Sequence, residues 1–200
     1  MKLRKDFNLA PRHKDFKKEV IELLKKQDPV SINSVSTQEA RKAYNWNRQV
    51  AGCYQRSREF ARLKISPFGI LYGKIEPEHY VEDLVVRWFS SRFPMFIIML
   101  ESKRGVFVFT RDRNLILFDE PLTDILSKFE KISPKNQMLE ELQDFNSDEY
   151  WEKYYSSQFI KSRKNRRYFQ RNIPKMFHGW EGLKLEKKRF DGNNKLSDYD

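Results

Sequence analysis

The sequence predicts an α+β fold: a small sheet of about four strands including a β-meander, covered by several helices, with a helical C-terminal third. Three observations carry this. Apolar residues recur at helical spacing across 14–27, 36–63 and 77–92. Between 95 and 119 the pattern changes to short β-rich runs broken by tight turns. Helical spacing then returns after 120. A chain of 200 residues with sixteen Phe and nine Tyr has enough apolar material to close one hydrophobic core.

Residues 1–12 are rich in charge and read as frayed. A helix over 14–27 places Phe16, Val20, Leu23 and Leu24 on one stripe, and Asp28-Pro29 stops it. The polar stretch 31–36 reads as a linker or a loop. Ser36-Thr37-Gln38-Glu39 has the form of a capping box, with Ser36 at the N-cap and Glu39 at N3. The helix it opens runs to about 63, and Arg41, Lys42, Arg48, Arg56, Arg58 and Arg62 give it a basic face. Ser66-Pro67-Phe68-Gly69 is a turn signal, and 70–75 a short strand. Pro77 suits the first position of another helix, with Tyr80, Val81, Leu84, Val85, Trp88 and Phe89 as its buried stripe. That helix should end near Arg92-Phe93-Pro94.

Strands over 95–100, 106–110 and 115–119 follow with tight connections, so a meander is expected. Phe107 and Phe109 fall on one face, Val106 and Val108 on the other. Both faces are apolar, so helices should cover both. The C-terminal third predicts helices over 121–131 and 134–145, one capped by Ser147-Asp148-Glu149, and an Arg-rich one before Pro174. The organisation expected is a basic N-terminal helix and linker over 1–35, a single domain over 36–190, and a disordered tail over 191–200.

The formal charge of +11 favours phosphate backbones or anionic membranes as partners. No apolar run approaches the roughly 18 residues that span a bilayer, and the N-terminus lacks the apolar block of a secretory signal. A cytoplasmic protein is the simplest expectation, and the lone Cys53 fits a reducing compartment. Charge is also segregated along the chain. From 139 to 152 every charged residue is acidic. From 161 to 175 every one is basic: Lys161, Arg163, Lys164, Arg166, Arg167, Arg171 and Lys175, with Tyr168 and Phe169 interleaved. The planar guanidinium binds phosphate oxygens bidentately and stacks on bases, so this segment is a candidate nucleic-acid surface. The bland alternative is a solvated helix face neutralised by the acidic run before it.

The polar cluster Glu76-Pro77-Glu78-His79 falls where a strand hands over to a helix, a common place for functional groups. Structurally, Glu76 suits a helix cap and Glu78 the helix dipole. Functionally, Glu76, Glu78 and His79 would form an acid/base group, with His79 as general acid/base or metal ligand and a carboxylate behind it. His13 lies in the segment read as frayed, and His178 in an aromatic turn reads as packing. No HExxH, C-x-x-C, G-x-S-x-G, Walker A or zinc deaminase pattern is present, so neither a metal nor a cofactor is expected.

Several segments taken together resemble a known family. Phe68-Gly69-Ile70-Leu71-Tyr72-Gly73-Lys74-Ile75-Glu76-Pro77-Glu78-His79-Tyr80 is similar to its GILYxxIEPEH stretch, and Phe89-Ser90-Ser91-Arg92-Phe93-Pro94 to its FxxRFP. Tyr154-Tyr155-Ser156-Ser157-Gln158-Phe159 and Ile173-Pro174-Lys175 resemble its YYxSxF and IPK elements. Where that family has FNPAR, this chain reads Phe159-Ile160-Lys161-Ser162-Arg163, keeping Phe and Arg. The family comprises DNA-metabolism proteins encoded beside radical SAM proteins or fused to uracil-DNA-glycosylase-like domains.

The resemblance implies a role in DNA repair or modification. It supplies no catalytic residue. Three functions follow as expectations. The first is DNA binding through the Arg/Lys helix, with Arg92 and His79 nearer the centre of the site. The second is an enzyme on damaged or modified DNA using Glu76, Glu78 and His79. The third is an adaptor that docks a radical SAM or uracil-DNA-glycosylase-like partner.

Overall fold

The computed structural model describes residues 7–137 together with positions 139, 157, 167, 168, 171 and 173. The C-terminal helices expected beyond 139 and the tail 191–200 lie outside the described residues, apart from those single positions.

The centre is a five-stranded sheet in the order β1 (Lys64–Ser66), β2 (Ile70–Lys74), β3 (Ile97–Ser102), β4 (Gly105–Phe109) and β5 (Leu115–Phe118). β1 and β2 form a hairpin across the turn expected at 66–69. Gly69 closes it with φ +72° and an N–H to the Ser66 carbonyl at 3.1 Å, a conformation that favours glycine. β2 and β3 run parallel, with Tyr72 opposite Met99, so the chain must cross over between them. The helix α4 (Glu82–Arg92) makes that crossover. β3, β4 and β5 form the expected antiparallel meander, pairing Leu100 with Phe107 and Val108 with Ile116.

Both faces of the sheet are covered, as their apolar alternation requires. On one face Leu71, Ile98, Leu100 and Phe109 pack with Val85 and Phe89 of α4 and with Val50 and Cys53 of a long helix, α3 (Gln38–Phe60). On the other, Ile70, Ile97, Met99, Val106 and Val108 pack with Ile125 of the helix over Leu122–Ile132. A third cluster joins Phe7, Ala10, the residues Val20, Ile21 and Leu24 of α1 (Lys18–Lys25) and Ile32 of α2 (Pro29–Asn33) to Ala40, Ala43 and Trp46 in the first half of α3. At the joint between α3 and α4, the Arg58 guanidinium lies 4.5 Å from the Tyr54 ring and 5.1 Å from Trp88.

Four expectations are corrected. Residues 7–12 are folded: Phe7 is buried, and Ala10–Arg12 is a 3-10 turn. Phe7, Leu9 and Ala10, next to the charged stretch 2–6, are too few to set up a period that would show this. The 31–36 stretch is partly helical, because Asp28 accepts from the Val30 and Ser31 amides at 2.9 Å and caps a short helix, Pro29–Asn33. The cap of α3 is Thr37 rather than Ser36; its hydroxyl accepts from the Ala40 amide and donates to Gln27. Gln27 also holds Glu39, so the carboxylate meant for a capping box goes to a different partner.

The fourth correction concerns residues 75–81. They are not helical, and neither Pro77 nor Glu76 starts α4, whose first residue is Glu82. The backbone groups a helix would need are taken by distant partners. The Ile75 amide bonds to Glu101, and the Tyr80 amide to Arg12. The Arg104 guanidinium collects the Pro77 and His79 carbonyls.

Candidate functional site

One face of α3 carries Asn45, Arg48, Gln49, Gly52, Cys53 and Arg56, at the three-and-four spacing that brings helical residues together. The irregular 75–81 segment lies against this face and adds Glu78 and His79. Between them is a cavity of about 500 Å³.

His79 is almost wholly buried, at 3% exposure. Its ring lies 4.3 Å from the His13 ring, which in turn stacks 5.6 Å from Trp46. The Lys14 amide approaches His79 Nδ1 at 3.4 Å, so in the neutral ring the proton sits on Nε2. Burial, with His13 beside it, lowers the His79 pKa below the ordinary histidine range, which favours the neutral form. His13 is fixed as well. Its Nδ1 accepts from the Asp15 amide at 3.1 Å, and its Nε2 lies 2.6 Å from Gln49 Oε1. With that oxygen occupied, Gln49 has its amide N–H groups left for the cavity.

The loop that carries His79 is held by Arg104 of the β3–β4 turn. Arg104 donates Nε to Glu82 at 2.5 Å and Nη2 to the His79 carbonyl at 2.7 Å, and its guanidinium covers the Tyr80 ring at 4.5 Å. Arg12 secures the other side. Its guanidinium meets Asp83 through both nitrogens, at 2.5 and 2.9 Å, and donates to the Tyr80 carbonyl at 2.9 Å.

The lining is rich in donors. Arg48 lies 5.9 Å from the Tyr44 ring, and among the described residues neither Arg48 nor Arg56 has a carboxylate partner. Glu78, the one acid on the wall among the described residues, is taken by Lys14 at 2.6 Å, which holds its carboxyl below the ordinary range and raises the Lys14 pKa. Two guanidinium groups, side-chain amides and an imidazole N–H around a recess suit the oxygens of a phosphate.

The sequence-selected residues are distributed as follows. Glu78 and His79 are on the cavity wall. Glu76 is not; its carboxylate faces Lys103 at 3.6 Å. Arg92 is exposed at the end of α4, 6.0 Å from the Trp88 ring, and lines no part of this cavity. Arg167, Tyr168 and Arg171 are exposed. Lys161, Arg163, Lys164, Arg166 and Lys175 lie outside the described residues, as does the acidic run from Glu140 to Glu152. Arg48 and Arg56 belong to the basic face noted on α3, whereas the part played by His13, Gln49 and Arg104 was not foreseen.

Residues 12–183 match the family described as Domain of unknown function (DUF4130). The chain belongs to that family. The DUF4130 match opens at Arg12, the residue that ties the N-terminal segment to α4, and takes in all the described residues of the cavity wall. No curated protein matches the chain, and no solved structure does. Among the described residues no helix is long and apolar enough to cross a membrane.

Proposed function

We propose that this DUF4130 protein binds DNA, in the repair or modification of DNA that the sequence resemblance implies, and that the α3 cavity receives a backbone phosphate or nucleotide. The observation that carries this is the donor-rich wall, where Arg48 and Arg56 converge without carboxylate partners among the described residues. The net charge of +11 supplies long-range attraction. The basic segment 161–175 would extend the contact along the strand.

A second function, chemistry on the bound nucleotide, is favoured by His79. A buried, neutral imidazole that carries its proton on Nε2 is suited to donate that hydrogen to a substrate oxygen on which charge develops. Glu78 serves that role poorly, because Lys14 keeps it paired and ionised.

Fluorescence anisotropy with single- and double-stranded oligonucleotides across a salt series tests the binding. Arg48→Ala/Arg56→Ala and Arg163→Ala/Arg167→Ala/Arg171→Ala are compared with the natural chain. Each phosphate contact removed should flatten the log–log salt slope by about 0.7–0.9. Absence of binding by the natural chain, or an unchanged slope in Arg48→Ala/Arg56→Ala, sinks the assignment of the cavity to DNA. Co-purification with a protein partner in place of DNA binding would point instead to the adaptor.

A further inference from the structure

A second cavity, of about 460 Å³, lies where the end of α4 meets the turn between β4 and β5. Residues 75–81 follow the end of β2, whereas this turn lies beside the start of β2 and β3, because β4 runs antiparallel to them. The two cavities are therefore at opposite ends of the sheet. Arg87, Arg111 and Arg113 line the second one, with Ser90, Ser91 and Phe109.

Among the described residues none of the three is paired with a carboxylate, and the Arg87 and Arg111 guanidinium groups are positioned by neutral partners. The Arg87 guanidinium lies 5.3 Å from the Phe109 ring, on a π-face that orients a cation without cancelling its charge. Arg111 donates Nε to the Met95 carbonyl at 3.0 Å. Its Nη2 also sits 2.6 Å from where a Cβ on Gly69 would stand, so the glycine leaves the space that guanidinium fills. Arg113 is held in the left-handed region, φ 62°, by a turn closed through Thr110 and Asn114. Asp112, between two of these arginines, is exposed and pairs with neither among the described residues. The α4 C-terminus contributes roughly half a negative charge, which attracts these cations but does not offset three.

Gathering three arginines around one recess is electrostatically unfavourable unless an anion joins them. A phosphate offers several oxygens to planar donors and relieves that repulsion. The Ser90 and Ser91 hydroxyls stand on the same wall; Ser91 spends its proton on the Arg87 carbonyl at 3.0 Å, which leaves the Ser90 hydroxyl to donate to a phosphate oxygen.

The geometry points to a second, separate anion site here that takes a phosphate group: a free pyrophosphate-type anion, a terminal phosphate, or the backbone of an oligonucleotide. It does not depend on the α3 cavity binding anything.

Calorimetric titration of inorganic pyrophosphate into the full chain carrying Arg48→Ala/Arg56→Ala, where the first cavity is silenced, tests it. Binding should persist there and weaken about tenfold or more when Arg111→Gln or Arg113→Gln is added. Both side chains are exposed, so the fold should tolerate the changes. Lys17→Gln/Lys18→Gln removes two exposed charges elsewhere and should leave affinity within about twofold, since charge alone acts weakly at a distance.

No binding to the Arg48→Ala/Arg56→Ala chain, or equal weakening by the lysine pair, overturns the site. Competition by oligonucleotides with and without a 5′-phosphate then identifies the source. Competition by both indicates backbone phosphate, by the phosphorylated one alone a terminal phosphate, and by neither a small free anion. The α3 cavity is judged separately, by the DNA salt slope.

Discussion

Single residues decide where His79 sits and which proton it carries. Arg104 is the central one, because it serves a buried carboxylate and two loop carbonyls together. Glu82 is 2% exposed, so removing its partner leaves a buried charge unmatched. Arg104→Gln should destabilise the protein by about 3 kcal/mol, as broken buried pairs do. Chemical denaturation reads this directly, and an unchanged midpoint would mean that the pair is not what holds the loop. His79 sets a pH dependence. Its pKa is lowered in the folded protein, so the unfolded chain takes up the proton at the higher pH. The associated stability is complete above the ordinary histidine pKa of about 6.5, and is lost as pH falls through that value toward the lower folded one. Melting temperature should therefore drop between about pH 7.5 and 5.5, and less steeply in His79→Gln. Equal slopes for the two proteins would show that His79 ionises freely. Neither property was legible in the sequence, since the burial of His79 depends on His13, a residue far from it in the chain.

At the scale of elements, α3 is both the main structural helix and one wall of the cavity, and Gly52 is where these roles separate. A Cβ at that position would have its nearest heavy neighbour, Arg56 Nη2, at 3.8 Å, so alanine fits without a clash. Replacing a helical glycine should stabilise α3 by about 0.5–1 kcal/mol. The added methyl group also narrows the recess between Arg48 and Arg56. Gly52→Ala should thus melt higher and yet bind DNA less tightly; a gain in stability with unchanged affinity would take the cavity out of the interface. α3 itself was legible, because its apolar spacing is local, although its cap is Thr37 and not the Ser36 that the capping-box pattern suggested. The meander was legible for the same reason, with β-rich runs and tight turns adjacent in sequence. β1 was missed because three residues, Lys64-Ile65-Ser66, carry no periodicity that distinguishes a strand from a loop. The false helical start at Pro77 has a different cause. Its local signals were sound, but Arg12, Glu101 and Arg104 supply hydrogen bonds that favour irregular backbone.

Across the whole molecule, the N-terminal segment and the sheet-bound helices converge on one latch. Leu9 donates its amide to Asn47 at 2.8 Å, and Arg12 clamps Asp83 and the Tyr80 carbonyl. Between these contacts His13 reaches Gln49 and lies against the His79 ring, so closing the latch completes the wall of the cavity. The site is therefore assembled from residues far apart in the chain. Its parts were visible in the sequence only as an isolated histidine, a basic helix face and a polar cluster. Asp83→Asn keeps the shape but removes the charge that makes the Arg12 pair strong. The pair is partly exposed, with about 30% of the Arg12 side chain accessible, so the loss should be modest, about 1–2 kcal/mol. Hydrogen exchange should then quicken at Arg12, His13 and Phe16, whose amides close the N-terminal turns. Amides of β3 and β4 should keep their protection, because they open only with the core. DNA affinity should fall along with the N-terminal protection if the latch shapes the cavity. Faster exchange with unchanged affinity would mean that α3 alone carries the binding, and that the N-terminal segment serves stability.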